Sequence, residues 1–85
     1  MTRDDVYNVV IKHLAEGVEG IDPATVDPDK SMKELGANSL DIVEVVSRSM
    51  RELKVKVPRS ELSKLTNING LVDLLYQTVQ EKVPA

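Results

Sequence analysis

The sequence predicts an all-α domain: a small four-helix bundle with three longer helices, one short helix and a long first loop. Three observations carry this expectation. Apolar residues recur at three- and four-residue spacing in three stretches, from Val6 to Leu14, from Leu40 to Leu53 and from Ile68 to Val79, which is the period of a helix with one buried face. Each stretch follows a residue able to cap a helix, namely Thr2, Asn38, and Thr66 or Asn67. The best alternating run, Lys54-Val55-Lys56-Val57, is too short for a strand and is closed by Pro58, which favours an extended residue before it. At 85 residues the chain makes a single domain over residues 1–85, near the lower end of what one core sustains. Hydrophobic residues are 41%, with no Phe and no Trp. The core is therefore built from Val, Leu and Ile, each worth roughly 1.5–3 kcal/mol when fully buried.

The first helix starts after Thr2, with Asp4 and Asp5 in a first turn where carboxylates meet the positive end of the helix dipole. Val6, Val9, Val10, His13 and Leu14 share a stripe, widened by Tyr7 and Ile11, and Gly17 and Gly20 end it. His13 is expected half-buried at the stripe's margin, since nothing close in sequence orients it for catalysis. A connection from Val18 to Ala37 follows. Asp22-Pro23 reads as a cap and first residue of one short turn, Asp27-Pro28 as another turn, and Ser31-Met32-Lys33-Glu34 as a capping box. Ile21, Val26, Met32 and Leu35 are expected to pin this loop to the bundle. Its acids Asp22, Asp27, Asp29 and Glu34 hint at a calcium loop, but the glycine such a loop needs at its sharp turn is missing.

The second helix is predicted from Ser39 to Leu53. Val43, Val46, Met50 and Leu53 form one stripe, broadened by Leu40, Ile42 and Val45. That is more apolar surface than one buried face requires, so Leu40, Ile42 or Val43 is expected near the surface beside Ser39, as a wide core margin or as a partner contact. Arg59 to Lys64 is read as the short third helix, starting at Pro58 or Ser60, with Leu62 and Leu65 inward. The last helix carries Ile68, Leu71, Val72, Leu75, Tyr76 and Val79, and Gly70 weakens it by about 1 kcal/mol relative to Ala. Pro84 and Ala85 are expected to fray.

Composition removes several chemistries. There is no Cys and only one His, so no disulfide, no thiolate and no zinc set are expected, and any thiol must come from an added group. Net charge is −3, spread unevenly: residues 1–35 hold eight acids and four bases, residues 36–66 four acids and six bases. This balance argues against nucleic-acid binding. No apolar run approaches the ~18 residues of a membrane span, so no membrane association and a cytoplasmic location are expected. Met1, close to the first helix, reads as the start of a free-standing protein. No Ser/His/Asp arrangement and no glycine-rich phosphate cradle is present, so no catalytic residue is assigned.

One stretch stands apart, Gly36-Ala37-Asn38-Ser39-Leu40-Asp41. Asn38 can cap the second helix, while Asp41, at the third helical position, can reach back to it. Gly36 gives the backbone freedom for the tight turn before them. Ser39 is left in the first turn beside unpaired N–H groups, where a phosphate would be favoured. The other five serines read as caps or solvated helix residues. Ser39 has no general base within sequence range, so it is not a self-acting nucleophile.

The stretch Glu34-Leu35-Gly36-Ala37-Asn38-Ser39-Leu40-Asp41 resembles the attachment motif of acyl carrier proteins, usually Leu-Gly-x-Asp-Ser-Leu. Val57-Pro58 matches the Ile/Val-Pro that the family places downstream, and Leu65-Thr66-Asn67-Ile68 resembles the start of its last helix. The likeness covers nearly the whole chain, from about Asp5 to Val79. It implies a non-catalytic, monomeric carrier with 4'-phosphopantetheine esterified to Ser39 by a phosphopantetheinyl transferase. It also implies acyl cargo held as thioester and delivered to acyltransferase and condensing enzymes. By the same resemblance Leu40, Asp41 and Glu44 are assigned to contacts with those partners, and Asn38, Ile42, Arg48 and Arg51 are also expected to contact them.

Two departures from the family pattern matter. Asn38 stands where Asp is usual, which keeps the cap and removes a charge. Arg48 and Arg51 interrupt a helix that is usually acidic in fatty-acid-type carriers, and complementary charge governs encounter and partner choice. The expectation is therefore a dedicated carrier of polyketide or related secondary-metabolite biosynthesis, and more narrowly the donor carrier of a β-branching cassette. The alternatives are a fatty-acid-synthesis carrier, a peptidyl or aminoacyl carrier (whose usual Gly-Gly is replaced by Gly36-Ala37), and a helical interaction module with no prosthetic group.

Overall fold

The computed structural model describes residues 2–62 and 67–82. Three helices of equal length form the bundle, α1 (Arg3–Gly17), α2 (Ser39–Leu53) and α4 (Ile68–Lys82), with a single turn, α3 (Arg59–Leu62), between the last two. No strand is present among the described residues. Of the third helix expected to reach Lys64, only this one turn lies within the described residues. The side chain of Leu62, together with Lys64, Leu65, Thr66, Pro84 and Ala85, lies outside them.

Each long helix begins where a short polar side chain folds back on the backbone. Thr2 accepts from the Asp5 amide and the Asp5 carboxylate accepts from the Thr2 amide, which satisfies two donors that a helix start leaves open. Asn67 caps α4 by accepting from the Gly70 amide at 2.7 Å. α1 closes through Val18, whose amide donates to the Leu14 carbonyl. α2 closes through Lys54, a non-glycine residue in left-handed conformation with φ of 58°. Val55 and Val57 then turn inward while Lys54 and Lys56 face solvent. The alternation seen in the sequence is thus used to anchor a link rather than to pair a strand.

The core lies where α1 meets α2 and α4. Val6, Val10, Leu14, Val45, Ile68, Val72 and Leu75 are fully enclosed. α2 keeps Val46 and Leu53 of its expected stripe in the core and leaves Leu40 and Val43, two of the three residues expected near the surface, exposed. Its buried residues are Val45, Val46, Ser49 and Leu53, so its core stripe is rotated away from Val43, which is 53% exposed. Ser49 is fully buried and donates to the Val45 carbonyl at 2.7 Å. It is therefore neither a cap nor a solvated serine, because the back-bond satisfies its hydroxyl inside the core.

His13 is half-buried as expected, but it is oriented, by a residue distant in sequence. Its Nε2 lies 2.9 Å from Glu52 Oε1 of α2, the oxygen that also takes a hydrogen bond from Lys12 Nζ at 2.6 Å.

The long connection folds as three successive turns. Thr25 donates to the Asp22 carbonyl and Lys30 to that of Asp27, each turn braced by the aspartate side chain accepting an amide two residues on. Ser31 accepts from the Glu34 amide at 3.2 Å, which is one half of the expected capping box. Met32 is buried, and Ile21, Val26 and Leu35 pack partly buried against the core, as expected of the four pins. The middle of the connection is also tied to α4: the Ile68 and Asn69 amides donate to the carbonyls of Lys30 and Pro28. Asn69 Nδ2 reaches Asp29 at 2.8 Å, and its Oδ1 accepts from Arg3 at 3.1 Å. Among the described residues no group of acids and His is placed to hold a metal ion.

Candidate functional site

The last residues of the connection aim the start of α2 outward. Ala37 is buried, and its amide donates to the Met32 carbonyl at 3.0 Å. Gly36, with φ of 105°, makes the reversal this requires, a region that favours glycine. Asn38 is extended, its Oδ1 accepts from the Asp41 amide at 2.8 Å, and its own amide donates to Asp41 Oδ2 at 3.3 Å. The expected reciprocal cap is therefore formed in full. Asn in place of Asp costs the helix little, since the two cap comparably.

This geometry places Ser39 at the first helical position, exposed. The amides of Ser39 and Leu40 have no intrahelical partner, as at any helix start, and the positive end of the α2 dipole lies with them. Asp41 is half-buried and engaged with Asn38. An ester-linked phosphate at Ser39 fits: its Oγ reaches solvent, two amides remain for phosphate oxygens, and no packed side chain must move. Leu40 is 80% exposed and Val43 53% exposed, so an apolar step lies immediately beside the hydroxyl.

Of the other residues singled out in the sequence, Ile42 is half-buried against the core. Glu44 and Arg48 pair across one turn at 3.2 Å, and Arg51 is exposed in the last turn. At 100° per residue, Leu40, Val43, Glu44, Ser47, Arg48 and Arg51 share the face opposite Val45, Val46 and Ser49. Of Leu40, Ile42 and Val43, among which the sequence left the surface position open, Leu40 and Val43 are the exposed ones. His13 is not brought to the site, because its partner Glu52 lies thirteen residues beyond Ser39 on α2, about 20 Å at helical rise.

The family model described as phosphopantetheine attachment site matches residues 9–75, which include Ser39 and all of α2. The chain belongs to this family, the acyl carrier proteins. It is 34% identical over 80 residues to the polyketide biosynthesis acyl-carrier-protein AcpK of Bacillus subtilis (strain 168), covering 94% of this chain and 98% of the relative. It is 36% identical over 73 residues to an acyl carrier protein of Campylobacter concisus (strain 13826), covering 85% and 88%. A third relative, an acyl carrier protein of Chlorobium luteolum, is 27% identical over 75 residues. The prosthetic group of the carrier is accordingly phosphopantetheine. No helix among the described residues is long and apolar enough to cross a membrane.

Proposed function

We propose that the Ser39 hydroxyl is the attachment point of 4'-phosphopantetheine, and that the carrier holds acyl intermediates for polyketide or related secondary-metabolite biosynthesis. The observation that carries the first part is the exposed Ser39 at the head of a fully capped helix. When bound, the group supplies the thiol on which cargo rides as a thioester, chemistry the chain itself lacks. The residues contribute placement. Asn38 and Asp41 fix the first turn, Gly36 and Ala37 hold it clear of the loop, and the two open amides with the helix dipole favour the anchoring phosphate by about 0.3–1 kcal/mol. Attachment by the transferase would form an O–P bond from Ser39 Oγ to the phosphorus of an activated phosphopantetheine donor, while the donor's phosphoanhydride P–O bond breaks and its nucleotide phosphate leaves. The Ser39 proton passes to a base outside this chain, since His13 is held at Glu52, far from Ser39.

The pathway part rests on Arg48 and Arg51, which depart from the acidic helix of fatty-acid-type carriers, and on the name of the Bacillus relative. Its narrowest form is the donor carrier of a β-branching cassette. In this reading the protein is a monomer that catalyses nothing itself and is served by a phosphopantetheinyl transferase, an acyltransferase and condensing enzymes.

Intact mass after co-expression with a broad-range phosphopantetheinyl transferase tests the attachment. The wild type gains one phosphopantetheine and Ser39→Ala gains none; a modified Ser39→Ala protein would refute the assignment. The loaded carrier is then offered to acyl-loading and condensing enzymes of polyketide and fatty-acid origin. Turnover with the fatty-acid enzymes alone overturns the pathway and leaves Ser39 standing, and loading by adenylating enzymes places the protein with the peptidyl carriers.

A further inference from the structure

An enzyme that loads or unloads an arm on Ser39 has the exposed face of α2 beside that residue, and this face has a definite charge order. Next to Ser39 it is apolar, with Leu40 and Val43 exposed. One turn further, Glu44 is neutralised by Arg48 of the same helix at 3.2 Å. Asp41 is committed to the Asn38 amide. Arg51 follows, exposed and without a carboxylate partner among the described residues. The helix ends on Lys54, whose left-handed backbone leaves its side chain exposed. Glu44 and Arg48 cancel as a pair in which only one guanidinium nitrogen of Arg48 is engaged, so the positive charge in excess on this face is that of Arg51 and Lys54, with the remaining edge of the Arg48 guanidinium beside it. Arg48 and Arg51 stand nine and twelve residues beyond Ser39, about 13 and 18 Å along the axis.

We infer that the enzyme partner of this carrier docks with an acidic patch of Asp and Glu residues on Arg48 and Arg51, centred about 15 Å from the mouth of its active site, with an apolar rim at the mouth for Leu40 and Val43. The inference rests on the Ser39 reading and adds the sign and position of the partner's charge. Opposite charges at this range accelerate encounter and are screened by salt, since the Debye length is about 10 Å at 0.1 M.

The test uses the pantetheine-loaded carrier and the acyltransferase that charges it, followed by kcat/KM over a potassium chloride series. For the wild type kcat/KM falls as salt rises. Arg48→Glu with Arg51→Glu lowers it about tenfold at low salt with kcat nearly unchanged, and reverses the direction of the salt dependence. Arg48→Gln with Arg51→Gln, which removes the charge without inverting it, gives an intermediate rate and a flat profile. Replacing acidic residues about 15 Å from the enzyme's active-site mouth by Lys restores the reversed carrier. Thermal melts of the two double variants that match the wild type separate docking from folding. A wild-type kcat/KM that rises with salt, or a charge-reversed carrier charged as fast as the wild type, overturns the inference. Either result leaves the Ser39 assignment untouched, because that assignment is read from the mass of the loaded protein.

Discussion

At Gly36 the backbone adopts φ of 105°, yet a Cβ built there meets nothing within 4 Å. The residue is therefore required for its torsion alone. Replacing it by Ala puts an L side chain into an unfavourable region and costs about 1–2 kcal/mol. Because Ser39 follows three residues later, the same change also tilts the first turn of α2. Gly36→Ala is expected to lower the urea midpoint and to slow phosphopantetheine attachment together. An unchanged midpoint would mean that the turn can be made without glycine. Ser49 shows the converse case at this scale: a polar residue that looks misplaced on a core face is accommodated by its own helix, through the Val45 carbonyl.

Between elements, the closest polar link of α1 to α2 runs through Glu52, which takes Lys12 and His13 on one oxygen. The Lys12 hydrogen bond chiefly holds its carboxyl below the ordinary glutamate value, His13 adds to the effect, and desolvation opposes it. A depressed carboxyl pKa contributes stability that is present above the unfolded-state value of about 4.3 and is lost as pH falls through the folded-state value. Glu52→Gln should therefore melt below the wild type near neutral pH, and the gap should close under acid conditions below about pH 4. The gap stays small because both partners of the pair are substantially exposed. A gap that persists in acid would assign the effect to shape rather than charge.

The boundaries of the long helices were legible in the sequence because each is set by a few neighbouring residues: Thr2 with Asp5, Asn38 with Asp41, and Asn67 with Gly70. The rotation of α2 was not. Val43 and Val46 lie in the same heptad, and which one faces inward depends on where α1 and α4 lie rather than on anything local. The candidate site divides the same way. Ser39, its cap and the turn before it could be read from adjacent residues, whereas the exposure of Val43 and the spending of Glu44 on Arg48 required the fold. The partner of His13 was equally out of reach, since Glu52 is 39 residues away.

For the molecule as a whole, the core is aliphatic, without Phe or Trp, and the chain spends 20 residues, 18 to 37, on a connection outside the long helices. That connection is not loose. Its first half leaves α1 through the half-buried Ile21, and its second half is bonded to the start of α4 through the Pro28, Asp29 and Lys30 contacts. Between these two anchorages the turn at Asp22–Thr25 is exposed, so it is the natural place for a protease to cut. Such a cleaved chain should remain one particle, eluting from gel filtration at the size of the intact protein and parting only in denaturant. The short piece keeps Val6, Val10 and Leu14 in the core, and Arg3 still grips Asn69 of the larger piece. The peptide bond at that point is therefore dispensable for the architecture: the α1 fragment, supplied separately, should reconstitute the carrier.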